Sequence, residues 1–425
     1  MSRQKAEFAF DLHTGLSAVQ VPEFDEIQTI GMCAVLSVHI KGMPPIDYEV
    51  LRKVSEYFMA IPSVALKSVL EILADLELVT LITSGKRIET VIPNIPAFDD
   101  VYASIGEYIA SECSFNEHEQ AIILILDALS KAPANQDSLR NSLGVDKELF
   151  NRCVVLGNES GIVSSHLARG RPILISPFYF ADNLDSLADL AASAGATAIQ
   201  NALKKISNNQ GWPLSIIEKT GEIGGTKVPP AELELIQKLS EEGVMKPPKI
   251  QFGSKSEAFV FTPKPGNVRL NGANREIYER AMALISAVRK GQLLADAYRI
   301  RSPLAILEAL RSRGYLGANS EAKEQYQNLV IMRVAYLSEI SPGRWQLHLH
   351  RTDENNAAIT LAIELLRTGQ IANLEVDREA RIALTKDESY VQSLISASEM
   401  RKKPRALKSE QAVHEFEQLL LKLEA

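Results

Sequence analysis

Eleven of the thirteen basic residues between positions 266 and 351 are arginine. Arg299 and Arg301 stand just ahead of Ser302 and Pro303, Arg311 and Arg313 end the helical run that follows, Lys323 comes shortly after, and Arg344 sits beside Gly343. The planar guanidinium fork grips phosphate oxygens and guanine edges through paired N–H donors. Ser302 as N-cap with Pro303 at the first helical position would aim free backbone N–H groups at the same phosphate. This set therefore reads as a polyanion contact. Against it, Arg311 and Arg313 equally suit the negative end of a helix dipole, and Glu308 on the same helix would oppose phosphate. A second, sparser set is Lys147, Arg152, Arg169 and Arg171, with His166 beside the last two in the expected hairpin.

Signals for bond-making chemistry are thin. Gly221-Glu222-Ile223-Gly224-Gly225-Thr226-Lys227 has glycines and a lysine but not the GxxxxGK[ST] spacing of a phosphate loop, and reads as an ordinary loop. His348 and His350 share one face of a strand as two metal ligands could, yet no third Cys, His or carboxylate stands near them in sequence. No HExxH or GxSxG occurs. The expectation is a protein that is not an enzyme, with no catalytic residues, no metal and no cofactor.

The elements that would position these residues repeat along the chain. Asp47–Ala60 and Ser63–Glu77 carry apolar residues at helical spacing, with Ser63 as N-cap, and Leu78–Pro93 reads as a hairpin turning at Ser84-Gly85-Lys86. Glu117–Ser130, Gln136–Leu143 ended by Gly144, and Lys147–Glu159 capped by Asp146 precede a second hairpin over Ile162–Pro177. A looser third copy has a helix at Ala231–Glu242 and a strand at Ala258–Phe261. In the fourth, helices at Asn274–Arg289 and Ser302–Arg313 come before a displaced hairpin, Ile331–Leu337 with Trp345–His350. Helices follow at Asn355–Thr368, Asp387–Met400 and Ser409–Leu423, with a basic run Arg401–Arg405 between the last two.

Two or three helices followed by a two-stranded wing is the order of a helix-turn-helix elaborated by a hairpin, and the chain resembles tandem winged-helix proteins. The resemblance covers about 45–350, rests on order and spacing, and carries no signature motif. It implies a mainly α fold with short β-hairpins (α+β), built as tandem winged-helix domains over 1–100, 101–180, 181–265 and 266–351, with a helical tail over 352–425. It also implies double-stranded DNA as partner, in transcriptional regulation or as the DNA-engaging subunit of a defence or genome-maintenance system. The alternative is a protein-interaction scaffold of winged helices, as in chromosome-organising complexes. A nucleotide-responsive switch at the 221–227 loop is a third reading.

The composition of the 425-residue chain fits a globular protein, with 46% hydrophobic and 23% charged residues and a formal net charge of −7. Its longest mostly apolar stretch, about Gly31–Ile40, falls short of the roughly 18–20 residues a bilayer span needs, so no membrane contact is expected. No signal-peptide pattern opens the chain, and Cys33, Cys113 and Cys153 form no CxxC, which fits a reducing cytoplasm. The net charge hides an asymmetry: residues 1–180 sum to −9 and residues 266–351 to +6. The acidic N-terminal units would then hold a protein partner or a second copy, with Phe416, Leu419, Leu420 and Leu423 of the last helix as another docking stripe.

Overall fold

The computed structural model describes residues 2–17, 19, 21–96, 98–252, 255–265, 272–294, 299–369 and 378–402. The chain is mostly helical, with small antiparallel sheets of two or three strands. It begins with α1 (Ser2–Leu16) and α2 (Asp25–Ile40), which cross closely. At Gly31 an added Cβ would stand 2.2 Å from the Ala9 carbonyl oxygen, so only glycine lets the two backbones approach this far. Thirteen of the sixteen α2 residues are buried, which makes it a central strut and not an amphipathic surface helix.

After α2 come β1 (Ile46–Asp47), α3 (Tyr48–Phe58), α4 (Ser63–Asp75) and the hairpin β2 (Val79–Ser84) with β3 (Arg87–Pro93). β3 pairs with both β2 and β1, giving the order β1–β3–β2. The last residue of β1, Asp47, also caps α3 by accepting from the Glu49 and Val50 amides at 2.9 and 3.1 Å. α4 begins on Ser63, with Pro62 and not Ser63 in the cap position. Pro62 already holds the extended backbone a cap requires, and the Ser63 hydroxyl instead donates to Glu56 at 2.6 Å. α5 (Phe98–Ser111) returns against α1.

The same order recurs in α6 (Glu117–Lys131), β4 (Ala134–Asn135), α7 (Gln136–Leu143), α8 (Lys147–Glu159), β5 (Ser164–Ala168) and β6 (Arg171–Ile175), with the sheet order β4–β6–β5. Asn116 and Glu119 form a reciprocal capping box at the start of α6, Asn135 caps α7 and Asp146 caps α8. α9 (Leu184–Ala194) covers β5 and β6.

A third round follows as α10 (Ala196–Ser207), β7 (Trp212–Pro213), α11 (Leu214–Thr220), a miniature hairpin of β8 (Glu222–Ile223) and β9 (Thr226–Lys227), α12 (Pro230–Glu241), β10 (Lys249–Phe252) and β11 (Lys255–Val260). Its sheet has the order β10–β11–β7. Pro213 has no side chain able to cap α11, and the buried Glu257 does so from β11, accepting from the Ser215 amide at 3.0 Å. The glycine loop read at 221–227 is this small hairpin, turned by Gly224 and Gly225 with φ of +55° and +80°.

The fourth round departs from the pattern. α13 (Gly272–Lys290), α14 (Pro303–Arg313) and α15 (Ala322–Ile331) precede β12 (Ala335–Ser341) and β13 (Arg344–Leu349). The edge contacts to β13 come from Tyr315 and Asn319, after the second helix and not before it. The expected strand at Ile331–Leu337 therefore opens on the last residue of α15 and a three-residue turn, because Ala322, Gln325, Tyr326 and Leu329 bury one face of that helix. The hairpin begins four residues late as a result.

α16 (Asp353–Thr368) packs on α13 and α14 and shares their core, so it belongs to this unit and not to a separate tail. α17 (Arg378–Leu384) and α18 (Glu388–Lys402) pack on α3 of the first unit, with Lys53 paired to Glu388 at 2.6 Å. The expected helix at 409–423, residues 403–405 of the basic run and Lys408 lie outside the described residues. Among the described residues no single helix is long and apolar enough to cross a membrane.

Two predictions follow from the crossing of α1 and α2. Gly31→Ala forces the helices apart and costs about 1–3 kcal/mol, which a fall in the thermal midpoint of the purified protein would report. The second concerns His13, 1% exposed, whose Nε2–H donates to the Met59 carbonyl at 2.9 Å while Nδ1 finds no partner. Burial pulls its pKa down to about 4. The unfolded chain therefore takes up a proton near pH 6.5 that the folded chain refuses. Stability is full above that pH and falls by up to about 3 kcal/mol as pH drops toward 4. His13→Gln keeps an N–H for Met59 but does not titrate. Its urea midpoint should fall less than the wild-type midpoint between pH 7 and 4.5, and equal falls would remove His13 as the cause.

Candidate nucleic-acid interface

Ser302 accepts from the Ala305 amide at 3.3 Å, Pro303 opens α14, and Gly314 closes it in the left-handed region with φ of +85°. The helix has eleven residues, a length of about 16 Å at 1.5 Å per residue. Arg299 and Arg301 thus lie at one end and Arg311 and Arg313 at the other, all exposed. The sequence grouped them into one contact surface, and the structure divides them. Arg301 faces the third unit beside Trp212 and Arg289, whereas Arg311 and Arg313 belong to the last turn of α14, whose end is tied to the last hairpin by the bond from the Leu349 amide to the Gly314 carbonyl.

The outer face of that hairpin is aromatic. Strand alternation sends Ala335, Leu347 and Leu349 into the core and turns Tyr336, Ser338, Gln346 and His348 outward. Tyr336 and His348 are directly opposed and stack, with centroids 4.9 Å apart and planes 11° apart. Tyr315, bridged to His348 from the other side, lies 6.0 Å from it, and His350 lies 5.0 Å from Tyr336. Tyr315 and Tyr336 are 46% and 44% exposed. The His348 Nε2 atom is 2.9 Å from the Ser338 hydroxyl, which fixes the ring over the sheet.

Arg351, just past the hairpin, donates to the Ser312 carbonyl at 3.3 Å. That bond sets its guanidinium against the last turn of α14, which carries Arg311 and Arg313. Among the described residues no carboxylate pairs with any of these three arginines. Asp353 and Glu354, the acids nearest Arg351 in sequence, occupy the first turn of α16, where the helix dipole favours them. At the hairpin tip Arg344 is exposed but donates back to the Ala318 carbonyl at 2.9 Å, and the Lys323 ammonium sits 5.1 Å over the Trp345 ring. Glu308 is neutralised by Arg367 at 2.8 Å.

In the second unit the basic side chains are largely spent on acids of the chain itself. Arg169 grips Asp189 through two 2.8 Å bonds, which holds the Asp189 carboxyl below its usual range. Arg152 binds Glu23 and lowers that carboxyl in the same way. His166 contacts Asp185 at 2.8 Å. Lys147 and Arg171 are exposed. Phosphate would have to displace carboxylates here, so this set is the poorer site.

Sequence reasoning missed Arg351, Tyr315 and Tyr336 and read His348 and His350 only as a metal question. The alternation of Tyr336 with buried neighbours was the available signal, but the partners come from three separate segments. Among the described residues no group of three or more His, Cys, Asp or Glu could hold a metal ion. Burial pushes the Cys113 and Cys153 thiols up to about 12 and Cys33 higher still, so none is a ready nucleophile at neutral pH. No family model matches this chain, nor does any curated protein or solved structure.

Proposed function

We propose that this chain is a tandem winged-helix protein that binds double-stranded DNA through the outer face of its last hairpin. Its role would be transcriptional regulation or DNA engagement within a defence or genome-maintenance system. The reading rests on one observation above all: a stacked Tyr336–His348 pair with Tyr315 tilted beside it, next to Arg351 and the last turn of α14 that carries Arg311 and Arg313, none of these arginines paired with a carboxylate among the described residues. Guanidinium groups supply the phosphate contacts, and exposed rings offer apolar and stacking surface to bases. The helix preceding the hairpin, α15, exposes Lys323 next to Glu324, so its charges largely cancel and the contact shifts from helix to hairpin. The repeated helix–strand–helix–helix–hairpin order supports the winged-helix assignment.

The scaffold reading draws on a different observation. Val64 in the first turn of α4 and Leu167 in β5 are 85% and 81% exposed, which suits contact with protein. Such a complex would survive salt that strips DNA.

Binding to a random duplex, titrated with salt, tests the DNA reading. Affinity should fall steeply with salt. The Arg311→Ala/Arg313→Ala/Arg351→Ala variant should lower the slope of log K against log salt by about 2.7, at roughly 0.9 per phosphate contact. Arg299→Ala with Arg301→Ala should leave the slope nearly unchanged. Absence of binding at low salt, or an unaltered slope in the triple variant, would overturn the assignment.

A further inference from the structure

An open cleft of about 340 Å³ separates the third and fourth units, lined by Trp212, Gly224, Arg289, Arg301, Ser302 and Leu366. Its volume lies at the lower end of small-molecule sites. Two of its groups are incompletely satisfied. Arg289 is only 7% exposed, and its guanidinium lies 4.8 Å from the Trp212 ring centre. It donates to the Gln210 carbonyl at 3.1 Å and to the Gln292 side chain at 3.2 Å, but among the described residues it has no carboxylate partner. A buried cation without a counter-charge is costly, and such groups in proteins are paired or hold a ligand. The second group is the indole N–H of Trp212, buried with no acceptor.

Around them the cleft is positive on every side that carries charge. Arg301 stands at its mouth, exposed and without an ion pair among the described residues. The N-terminus of α14 opens into it, and because Pro303 has no N–H, the first amide there is that of Leu304, another lining residue. Gly224 closes the far wall, where an added Cβ would strike the Asn209 side chain at 1.9 Å. Leu304 and Leu366 give one apolar flank.

We propose that this cleft binds the phosphate of a small phosphomonoester. Two guanidinium groups and a helix N-terminus supply more positive charge than a monoanionic carboxylate needs and match a dianion. The phosphate takes Arg289, Arg301 and the Leu304 amide, and the organic part lies along the Leu304 and Leu366 side chains. The site is separate from the hairpin face and does not depend on the DNA reading.

The chain has two tryptophans, Trp212 and Trp345, so Trp345→Phe leaves Trp212 as the sole fluorescent reporter. Titration of this variant with inorganic phosphate and with adenosine monophosphate, at constant ionic strength, should give a saturable change, whereas acetate gives none. Arg301→Gln in the same background, a surface change that spares the core, should weaken both by at least about tenfold, the worth of a hydrogen bond to a charged group. Trp212→Phe shrinks the ring that holds the Arg289 guanidinium and should reduce the phosphate-induced rise in thermal midpoint. No saturable response to either phosphate, or an equal response in Arg301→Gln, overturns the proposal. A response to unphosphorylated-end duplex DNA also overturns it, by assigning the cleft to backbone phosphates.

Discussion

The contact between α1 and α2 at Gly31 governs how the first half of the molecule is assembled. With the Ala9 carbonyl close enough to exclude a methyl group, α1 packs tightly on α2 and its far end reaches the second unit. There Gly15 meets Ile162 and Phe178, and the Tyr179 hydroxyl donates to Asp11 at 2.8 Å. From the other direction Glu119 of α6 accepts from the Ile27 amide of α2 at 2.8 Å, so the capping box of one unit also fastens the strut of the other. The first two units consequently share one continuous apolar core, to which α17 and α18 contribute Ala380, Ala383, Leu384 and Val391.

The seam between the third and fourth units is built differently. Its centre is the buried Gln210, which donates to Thr262 and to the Gly369 carbonyl at 2.8 and 3.0 Å, while its own carbonyl accepts from Arg289. Ser207 adds a bond to the same Gly369 carbonyl at 2.9 Å. These directed bonds fix orientation beside an apolar contact in which Ile250, Phe259 and Phe261 of the third unit join the core of the fourth.

The sequence disclosed the elements whose pattern is local. α4 with its hairpin, α7 ended by Gly144, and α14 between Ser302 and Gly314 all carry period, cap and stop within a dozen or so residues. What stayed hidden depends on distant partners. α1 buries Asp11 and His13 along with its phenylalanines, which breaks the polar–apolar contrast that marks a helix face. The two-residue strands β1, β4 and β7 have no period of their own and exist through their pairing with β3, β6 and β11. The polar surface of α15, with Lys323, Glu324 and Gln327, masked a helix that displaces the last hairpin. For the candidate site, arginine richness was visible, but its division into a hairpin face and a cleft was not. That division depends on Arg351 reaching Ser312 and Arg289 reaching Trp212, contacts between remote segments.

Charge bookkeeping along the chain becomes physical only once partners are known. The first 180 residues sum to −9, and the basic side chains there are turned inward on acids: Arg152 on Glu23, Arg52 on Glu49, and Arg169 on Asp189 from the next segment. Each such pair is worth little to stability at an exposed surface, but it removes a cation that could otherwise meet a polyanion. In the fourth unit the opposite holds. Glu308 is consumed by Arg367, and Glu276 by Arg280, which also donates to Asn355. Arg311, Arg313 and Arg351 are left facing solvent without acidic partners among the described residues. A pair within one segment removes one charge of each sign and leaves its sum unchanged, whereas Arg169–Asp189 and Glu308–Arg367 cross the segment bounds and so widen the difference between the acidic and the basic part.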